Sequence, residues 1–177
     1  MLLDGGTLRG SYFSRTVVFV CSHDEDGAFG LVLNRPTETQ LQAAFDRTLP
    51  SSLRQRPLFS GGPVQPAALS FLYPGQAKEP AKTPLPGVVL HHDLDALIQL
   101  GKHPETRVAL RVFAGYAGWS PGQLDDEMKR KAWLTHPASL ELLFDVPPET
   151  LWQHILRNRG NWRDRLLAMS PEDFTVN

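Results

Sequence analysis

A possible catalytic serine stands in the second half of the chain, within the segment Gly118-Trp119-Ser120-Pro121-Gly122. The pattern Gly-x-Ser-x-Gly is typical of α/β-hydrolases, in which the serine attacks an acyl group and the backbone N–H of the next residue helps to bind the oxyanion. Here the next residue is Pro121, which has no backbone N–H to donate. The sequence therefore argues against a serine hydrolase, and we assign no catalytic residue.

The same residues are typical of a helix start. Ser120 can serve as the N-cap, Pro121 suits the first helical position because its missing N–H costs nothing there, and Gln123 completes a capping box. We therefore predict a helix over residues 122–133. We also predict that the side-chain oxygen of Ser120 accepts a hydrogen bond from the backbone N–H of Gly122 or Gln123.

Two other segments combine histidine or acidic residues, which are common ligands of metal ions. In His91-His92-Asp93, neighbouring side chains on a strand point to opposite faces, so the two imidazoles cannot easily chelate one ion. Asp93 is better explained as the N-cap of the helix that follows. In the acidic segment that begins at Asp24, the EF-hand pattern fails, because Phe29 stands where it needs glycine and Arg35 where it needs glutamate. We predict no metal site, no cofactor, and a solvent-exposed hairpin tip at this acidic segment.

Two further segments could bind phosphate. Gly61-Gly62-Pro63 lacks the lysine and the following hydroxyl of a P-loop, so we interpret it as a tight turn. Four arginines flank Trp162, and such a set can hold phosphates while the indole stacks on a base. We favour an exposed helix surface, because a formal net charge of −1 gives no general attraction to nucleic acid and no helix-turn-helix pattern is present. We therefore expect no sequence-specific DNA binding. The arginines are Arg157, Arg159, Arg163 and Arg165.

Six residues at predicted strand ends and turns form the candidate ligand-binding groove. Sites are often built at such positions, and arginine, tyrosine and tryptophan dominate binding hot spots. The alternative is that these side chains only attach the N-terminal hairpin to the helix start at Ser120. The candidate residues are Arg15, Asn34, Arg35, Tyr116, Trp119 and Gln123.

Composition sets the class of the protein. The chain has 177 residues, of which 41% are hydrophobic and 9% aromatic, enough for one domain with a real core. The single cysteine, Cys21, lies in an apolar run, so we predict a buried thiol, no disulfide and a reducing compartment. The N-terminal segment does not resemble a secretory signal, and no apolar run approaches the roughly 20 residues that span a bilayer. We therefore expect one cytoplasmic domain over residues 1–177.

Hydrophobic periodicity predicts an α+β fold with a mainly antiparallel sheet. Residues 16–21 and 28–34 are predicted to form a hairpin. The other predicted strands are residues 58–60, 69–73, 88–90, 107–113 (half-exposed) and 140–144. Four other helices are predicted. The first follows a capping box at residues 37–40, and the second runs from Asp93 to a stop at Gly101. The third follows Pro147-Pro148 and ends at Gly160, and the fourth spans residues 162–169. Residues 50–57 and 74–87 are predicted loops.

Five stretches of the chain resemble the YqgE/AlgH family of small bacterial cytoplasmic proteins, over about residues 8–167. The resemblance implies one α+β domain with a coiled, mainly antiparallel sheet and helices packed against it. The family is labelled as transcriptional regulators, and the resemblance implies no catalytic residues. This chain departs from the family pattern near residues 3–8 and at Tyr73, where histidine is usual. The matching stretches are Phe13-Ser14-Arg15-Thr16-Val17-Val18, His23-Asp24-Glu25-Asp26-Gly27-Ala28-Phe29-Gly30-Leu31, Asn34-Arg35-Pro36-Thr37, Gly61-Gly62-Pro63-Val64 and Gly115-Tyr116-Ala117-Gly118-Trp119-Ser120-Pro121-Gly122-Gln123-Leu124.

Two hypotheses of function follow. The first is a non-enzymatic cytoplasmic binding or regulatory protein of unknown activity, whose partner is a protein or a small molecule and which does not act at a membrane. The alternative is an enzyme acting on a small anionic or nucleotide-like ligand in a groove near Arg15, Arg35 and Trp119. A ligand that is bound but not chemically altered would favour the first, and turnover would favour the second.

Overall fold

The strands that the structure describes form one sheet. The computed structural model describes residues 1–103 and 109–170. The strands in these residues are β1 (Leu2–Asp4), β2 (Val17–Asp24), β3 (Gly27–Val32), β4 (Pro36–Gln40), β5 (Pro57–Ser60), β6 (Val64–Pro74), β7 (Lys82–Leu85), β8 (Val88–His91), β9 (Arg111–Trp119) and β10 (Trp133–Thr135).

The sheet is mainly antiparallel and curled, in the order β10-β1-β2-β3-β9-β6-β8-β7. Strand β9 joins its two halves, because Ala28 of β3 pairs with Trp119 at one end of β9 and Phe71 of β6 pairs with Val112 at the other. Strand β5 pairs in parallel with β9 and antiparallel with β4. The predicted α+β class and the hairpin of β2 and β3 are confirmed.

Backbones cross closely in the middle of β9, next to the segment Gly61-Gly62-Pro63. The Gly61 N–H donates to the carbonyl of Ala114 at 2.9 Å, and the Val32 N–H donates to the carbonyl of Gly61 at 2.8 Å. A Cβ atom on Gly61 would lie 2.3 Å from the carbonyl oxygen of Gly115. Glycine is therefore required where the chain leaves β5 and passes between Val32 and Ala114.

Helices pack against this sheet and cover its hydrophobic cores. The longer ones are amphipathic, so α6 buries Leu151, Trp152 and Ile155 against the sheet, and α3 buries Leu97 on the opposite side. No helix in residues 1–103 and 109–170 is long and apolar enough to cross a membrane. The helices are α1 (Leu41–Ala44), α2 (Ser51–Arg54), α3 (Leu94–Lys102), α4 (Gln123–Lys129), α5 (Leu140–Phe144), α6 (Pro148–Asn158) and α7 (Trp162–Met169).

Two predicted elements have the wrong secondary structure. Residues 140–144, predicted as a strand, form α5, because the Ser139 side chain caps it by accepting the Leu142 N–H at 3.2 Å. The predicted capping box at residues 37–40 is strand β4, although the predicted helix does follow it as the short α1 (Leu41–Ala44), without a side-chain cap. In β4, the Thr37 hydroxyl donates to the carbonyl of Leu58 on β5 at 2.8 Å, which fixes the strand pair instead of a helix start.

The strand predicted over residues 107–113 is shifted and is not half-exposed. Residues 107 and 108 lie outside the described residues, and β9 runs from Arg111 to Trp119. Arg111 is buried because β9 lies inside the sheet, and its guanidinium donates to the carbonyls of Leu33 at 2.9 Å and Val146 at 3.1 Å. Burial lowers the pKa of Arg111 to about 10, although the carboxylates of Glu149 and Asp145 oppose this.

Several boundaries differ from the predictions. The loop predicted over residues 74–87 contains β7, and residues 50–57 contain α2. Gly101 does not stop α3, which continues to Lys102 and is capped by His103. The last two helices end as predicted, with Gly160 at positive φ after α6 and α7 spanning Trp162–Met169.

Candidate functional site

The structure places five of the six candidate residues in two cavities and Tyr116 in neither. Arg15, Asn34 and Arg35 line a polar cavity of about 410 Å³, which we call the arginine cavity. Trp119 and Gln123 line a more apolar cavity of about 470 Å³, which we call the tryptophan cavity. Tyr116 packs on Phe29 with a ring separation of 5.0 Å.

Arg15 is held in the arginine cavity by contacts from three parts of the chain. It adopts a positive φ of 55° just before β2, and its N–H donates to Asp4 Oδ2 at 2.8 Å. Its Nη2 donates to the carbonyl of Ser170 at 2.7 Å and lies 3.0 Å from the Ser170 hydroxyl. The guanidinium carbon lies 5.2 Å from the centre of the Trp152 ring. A cation in this position is oriented from several sides.

Asn34 fixes the backbone that carries Arg15. Its Oδ1 accepts the Val17 N–H at 2.8 Å, and its Nδ2 donates to the carbonyl of Arg15 at 2.8 Å. The amide therefore ties the start of β2 to the residues after β3. This arrangement makes Asn34 a positioning residue for the cavity.

Arg35 lines the same cavity from an exposed position. Its Nη2 donates to the carbonyls of Ser14 at 2.9 Å and Tyr12 at 3.2 Å, and its guanidinium carbon lies 5.7 Å from the Tyr12 ring centre. The opposite wall comes from α6, with Glu149 and Trp152. The cavity thus combines two guanidinium groups with one carboxylate.

Asp4 organises the loop behind the arginine cavity. This side chain is 1% exposed, and its Oδ1 accepts the N–H groups of Gly6 at 2.8 Å and Leu8 at 3.1 Å. The Trp152 indole donates to the Asp4 carbonyl at 3.0 Å. Sequence reasoning missed Asp4, Glu149 and Trp152, because only the packing of α6 on β1 brings them to Arg15.

A single carboxylate forms the centre of the tryptophan cavity. Glu127 Oε2 accepts the indole N–H groups of Trp119 at 2.9 Å and Trp133 at 2.8 Å, and Oε1 accepts Gln123 Nε2 at 2.9 Å. Burial raises the pKa of Glu127, but hydrogen bonds from Trp133, Gln123 and Trp119, with the charge of Arg130, outweigh it and lower the pKa overall. Glu127 is therefore ionised at neutral pH.

Aromatic rings form the apolar wall of the tryptophan cavity. The Phe13 ring lies 6.5 Å from that of Trp119 and 5.5 Å from that of Trp133, and the two indoles are 6.2 Å apart. Arg130 and Lys131 line the cavity at the end of α4. Sequence reasoning missed Glu127, although its position four residues after Gln123 places both side chains on one face of a helix.

Ser120 is not the N-cap of α4, so that prediction is wrong. The helix begins at Gln123 and its N-cap is Gly122, with φ 72° and ψ −10° and no side-chain cap. The Gln123 N–H donates to the carbonyl of Ser120 at 3.0 Å, as in a type II turn with Pro121 and Gly122 at its centre. Only the Gln123 half of the capping box forms, because its Oε1 accepts the Ser120 N–H at 3.1 Å.

We expect Ser120→Ala to change the free energy of unfolding by less than about 0.5 kcal/mol, as is usual for an exposed side chain. The matched control is Ser139→Ala, which removes the side-chain cap of α5 and should cost about 1 kcal/mol. Urea unfolding of both variants measures the two values. A loss at Ser120 equal to that at Ser139 would restore the capping interpretation.

The histidine segment is organised by hydrogen bonds within the protein. His91 Nδ1 accepts the N–H groups of His92 and Asp93, and the Asp93 side chain caps α3 by accepting the Ala96 N–H at 2.8 Å, as predicted. His92 Nδ1 lies 2.9 Å from Ser70 Oγ, and burial is the largest cause of its lowered pKa. Within residues 1–103 and 109–170, no three histidine, cysteine or acidic side chains are grouped to hold a metal ion.

The remaining segments have local roles. The acidic segment is the exposed turn between β2 and β3, as predicted. Cys21 is half-buried, and burial raises the pKa of its thiol to about 12. Among the C-terminal arginines, Arg159 pairs with Asp164 at 2.7 Å and Arg163 lies over the exposed ring of Trp162.

Comparison with known proteins identifies a family. Residues 1–162 match the family model described as AlgH-like, DUF179. A UPF0301 protein of Chlorobaculum parvum is 36% identical over 177 residues, which cover 97% of this chain and 91% of the relative.

Two solved structures have the same fold. The AlgH protein of Pseudomonas aeruginosa superposes with a TM-score of 0.77 at 29% identity, covering 97% of this chain and 93% of that chain. A protein of Corynebacterium diphtheriae gives a TM-score of 0.74 at 22% identity, covering 96% and 90% of the two chains. The family match over most of the sequence and the common fold show that this chain belongs to the AlgH-like family, UPF0301.

Proposed function

We propose that this chain is a cytoplasmic, non-enzymatic binding protein that acts in regulation and takes a small anionic ligand in the arginine cavity. The observation that carries the proposal is the convergence of Arg15 and Arg35 on one polar cavity, with Glu149 as the opposing carboxylate. Guanidinium groups bind carboxylates and phosphates through paired N–H groups. The ligand is therefore expected to carry one of these groups.

The supports of the cavity favour binding over catalysis. The Asn34 amide and Asp4 fix the backbone that carries Arg15, so the frame of the site is formed before a ligand arrives and only the Arg15 side chain has to move on binding. The walls supply cations, an amide and an indole for recognition. The alternative, an enzyme acting on the same anionic ligand, would be favoured by turnover of a bound compound.

A regulatory role follows from what Arg15 connects. Its guanidinium contacts Ser170, which is the C-cap of α7, and Trp152 of α6. A ligand anion that draws the Arg15 side chain toward Arg35 would compete with the Ser170 contacts and so affect α7. Regulation through this coupling needs no contact with a promoter.

The test is thermal unfolding and calorimetry of the purified protein with inorganic phosphate, citrate and adenosine 5′-monophosphate, each matched in ionic strength with sodium chloride. We expect at least one of these anions to raise the Tm, because a ligand that binds only the folded state stabilises it. Arg35→Gln should weaken that binding about tenfold, equivalent to about 1.4 kcal/mol.

The matched control is Arg165→Gln, which removes an exposed arginine on α7 and should leave the affinity unchanged. Failure of all three anions to bind would contradict the proposal, as would equal losses in the two variants. Sequence-specific retardation of duplex DNA at physiological salt would contradict the proposed route of regulation.

A further inference from the structure

Lys131 occupies a backbone position that normally belongs to glycine. Helix α4 ends in a Schellman motif, in which the Lys131 N–H donates to the carbonyl of Met128 and the Ala132 N–H to that of Glu127, both at 3.0 Å. The motif places Lys131 at a φ of 58°, in the left-handed region. A side chain there is strained, whereas glycine is not. A residue other than glycine in strained backbone suggests a use for its side chain.

Lys131 is one of the residues that line the tryptophan cavity. Arg130 lines it as well, and both residues are exposed at the end of α4. The apolar wall is formed by Phe13, Trp119 and Trp133. A ligand that fits these surfaces combines a flat apolar body with an anionic group.

Glu127 adds one further requirement. An ionised carboxylate offers about four acceptor positions, and three of those of Glu127 are used by Trp119, Trp133 and Gln123. The fourth is on Oε1, which accepts only Gln123 Nε2 among the described residues. A ligand ring that carries an N–H group can donate to it.

We propose that the tryptophan cavity binds a planar heteroaromatic anion. The ring packs against Phe13, Trp119 and Trp133 and donates an N–H to Glu127 Oε1. The anionic group, a carboxylate or a phosphate, lies against Lys131 and Arg130. The volume of about 470 Å³ is in the range of small-molecule sites. This site is separate from the arginine cavity and does not depend on the proposed function.

The probes are indole-3-acetate, a carboxylate, and 3-indoxyl phosphate, a phosphate, and both carry a ring N–H. Indole, which lacks the anionic group, and 1-methylindole-3-acetate, which lacks the ring N–H, serve as matched controls. Affinity is measured by calorimetry, and the site is located from the indole N–H resonances of the protein. We expect the indole N–H resonances of Trp119 and Trp133 to shift on binding, and those of Trp152 and Trp162 to remain unchanged. Each control probe should bind more weakly than indole-3-acetate.

The deciding variant is Lys131→Gly. It relieves the backbone strain, so we expect a higher Tm together with about tenfold weaker binding of the anionic probe, whereas Lys131→Arg should retain binding. A purely structural role of Lys131 predicts the higher Tm with unchanged affinity, and that result would overturn the proposal. Shifts confined to Trp152 or Trp162, or no binding of either probe at millimolar concentration, would also overturn it. Arg35→Gln should not affect these shifts, which separates this site from the arginine cavity.

Discussion

The Gly61→Ala variant is expected to lose at least about 4 kcal/mol of the free energy of unfolding, the range seen when a substitution has no room to relax. The added Cβ would lie 2.3 Å from the carbonyl oxygen of Gly115, which is backbone in the strand shared by both halves of the sheet. Relief of this contact requires movement of β9 away from β5. The Gly61 hydrogen bonds to Ala114 and Val32 would then be stretched.

Gly122→Ala is the matched control for Gly61→Ala. Gly122 has a positive φ of 72°, and a Cβ there meets nothing within 4 Å, so only the cost of a left-handed alanine remains, about 1–2 kcal/mol. Urea unfolding and yield of soluble protein measure both variants. Similar losses at the two positions would show that the close crossing at Gly61 costs no more than a left-handed alanine, which would contradict the prediction.

Glu127→Ala is expected to cost about 3 kcal/mol of stability, because two mostly buried indole N–H groups lose a charged acceptor. Trp119 belongs to β9 and Trp133 to β10, so the same carboxylate connects two distant strands through α4. Glu127→Gln is the matched variant, since it keeps an acceptor oxygen and should cost less. Chemical denaturation at neutral pH compares the three proteins.

The contribution of Glu127 should also depend on pH. Its pKa is lowered in the folded state, so the carboxylate stabilises the fold at pH values above its unfolded pKa, and this stabilisation is lost as the pH falls through the folded value. The stability difference between wild type and Glu127→Gln should therefore be constant from about pH 7 to 5 and shrink below about pH 4. A difference that grows on acidification would contradict the assigned ionisation.

Local chemistry predicts some, but not all, of the elements whose signals lie within a few residues. Asp93 was recognised as a cap because its acceptor and the helix start are adjacent, and the hairpin of β2 and β3 was recognised from its turn. The five residues of α5, four of them apolar, suit a short strand or a short helix equally well by pattern. Ser139 and the packing of α5 on the core decided between them.

The candidate site was predictable only in part, for a similar reason. Arg15, Asn34 and Arg35 flank two strands of one hairpin, so their proximity follows from local pairing. Trp119 and Gln123 belong to a second cavity because α4 turns away after Gly122. Glu127 is central there through contacts that depend on where α4 and β10 lie, which no short segment specifies.

The position of β1 has a consequence for the order in which the chain can fold. This strand lies between β2 and β10, with Leu3 facing Val17 on one side and Leu134 on the other. Ribosomes release residues in sequence, so β1 can meet its first neighbour early but must wait for its second until more than a hundred further residues have been synthesised. Until then one edge of β1 remains unpaired, and the nascent sheet exposes a strand edge to other chains. The hairpin of β2 and β3 can form early, whereas enclosure of β1 is a later event that must wait until the chain has been made as far as β10.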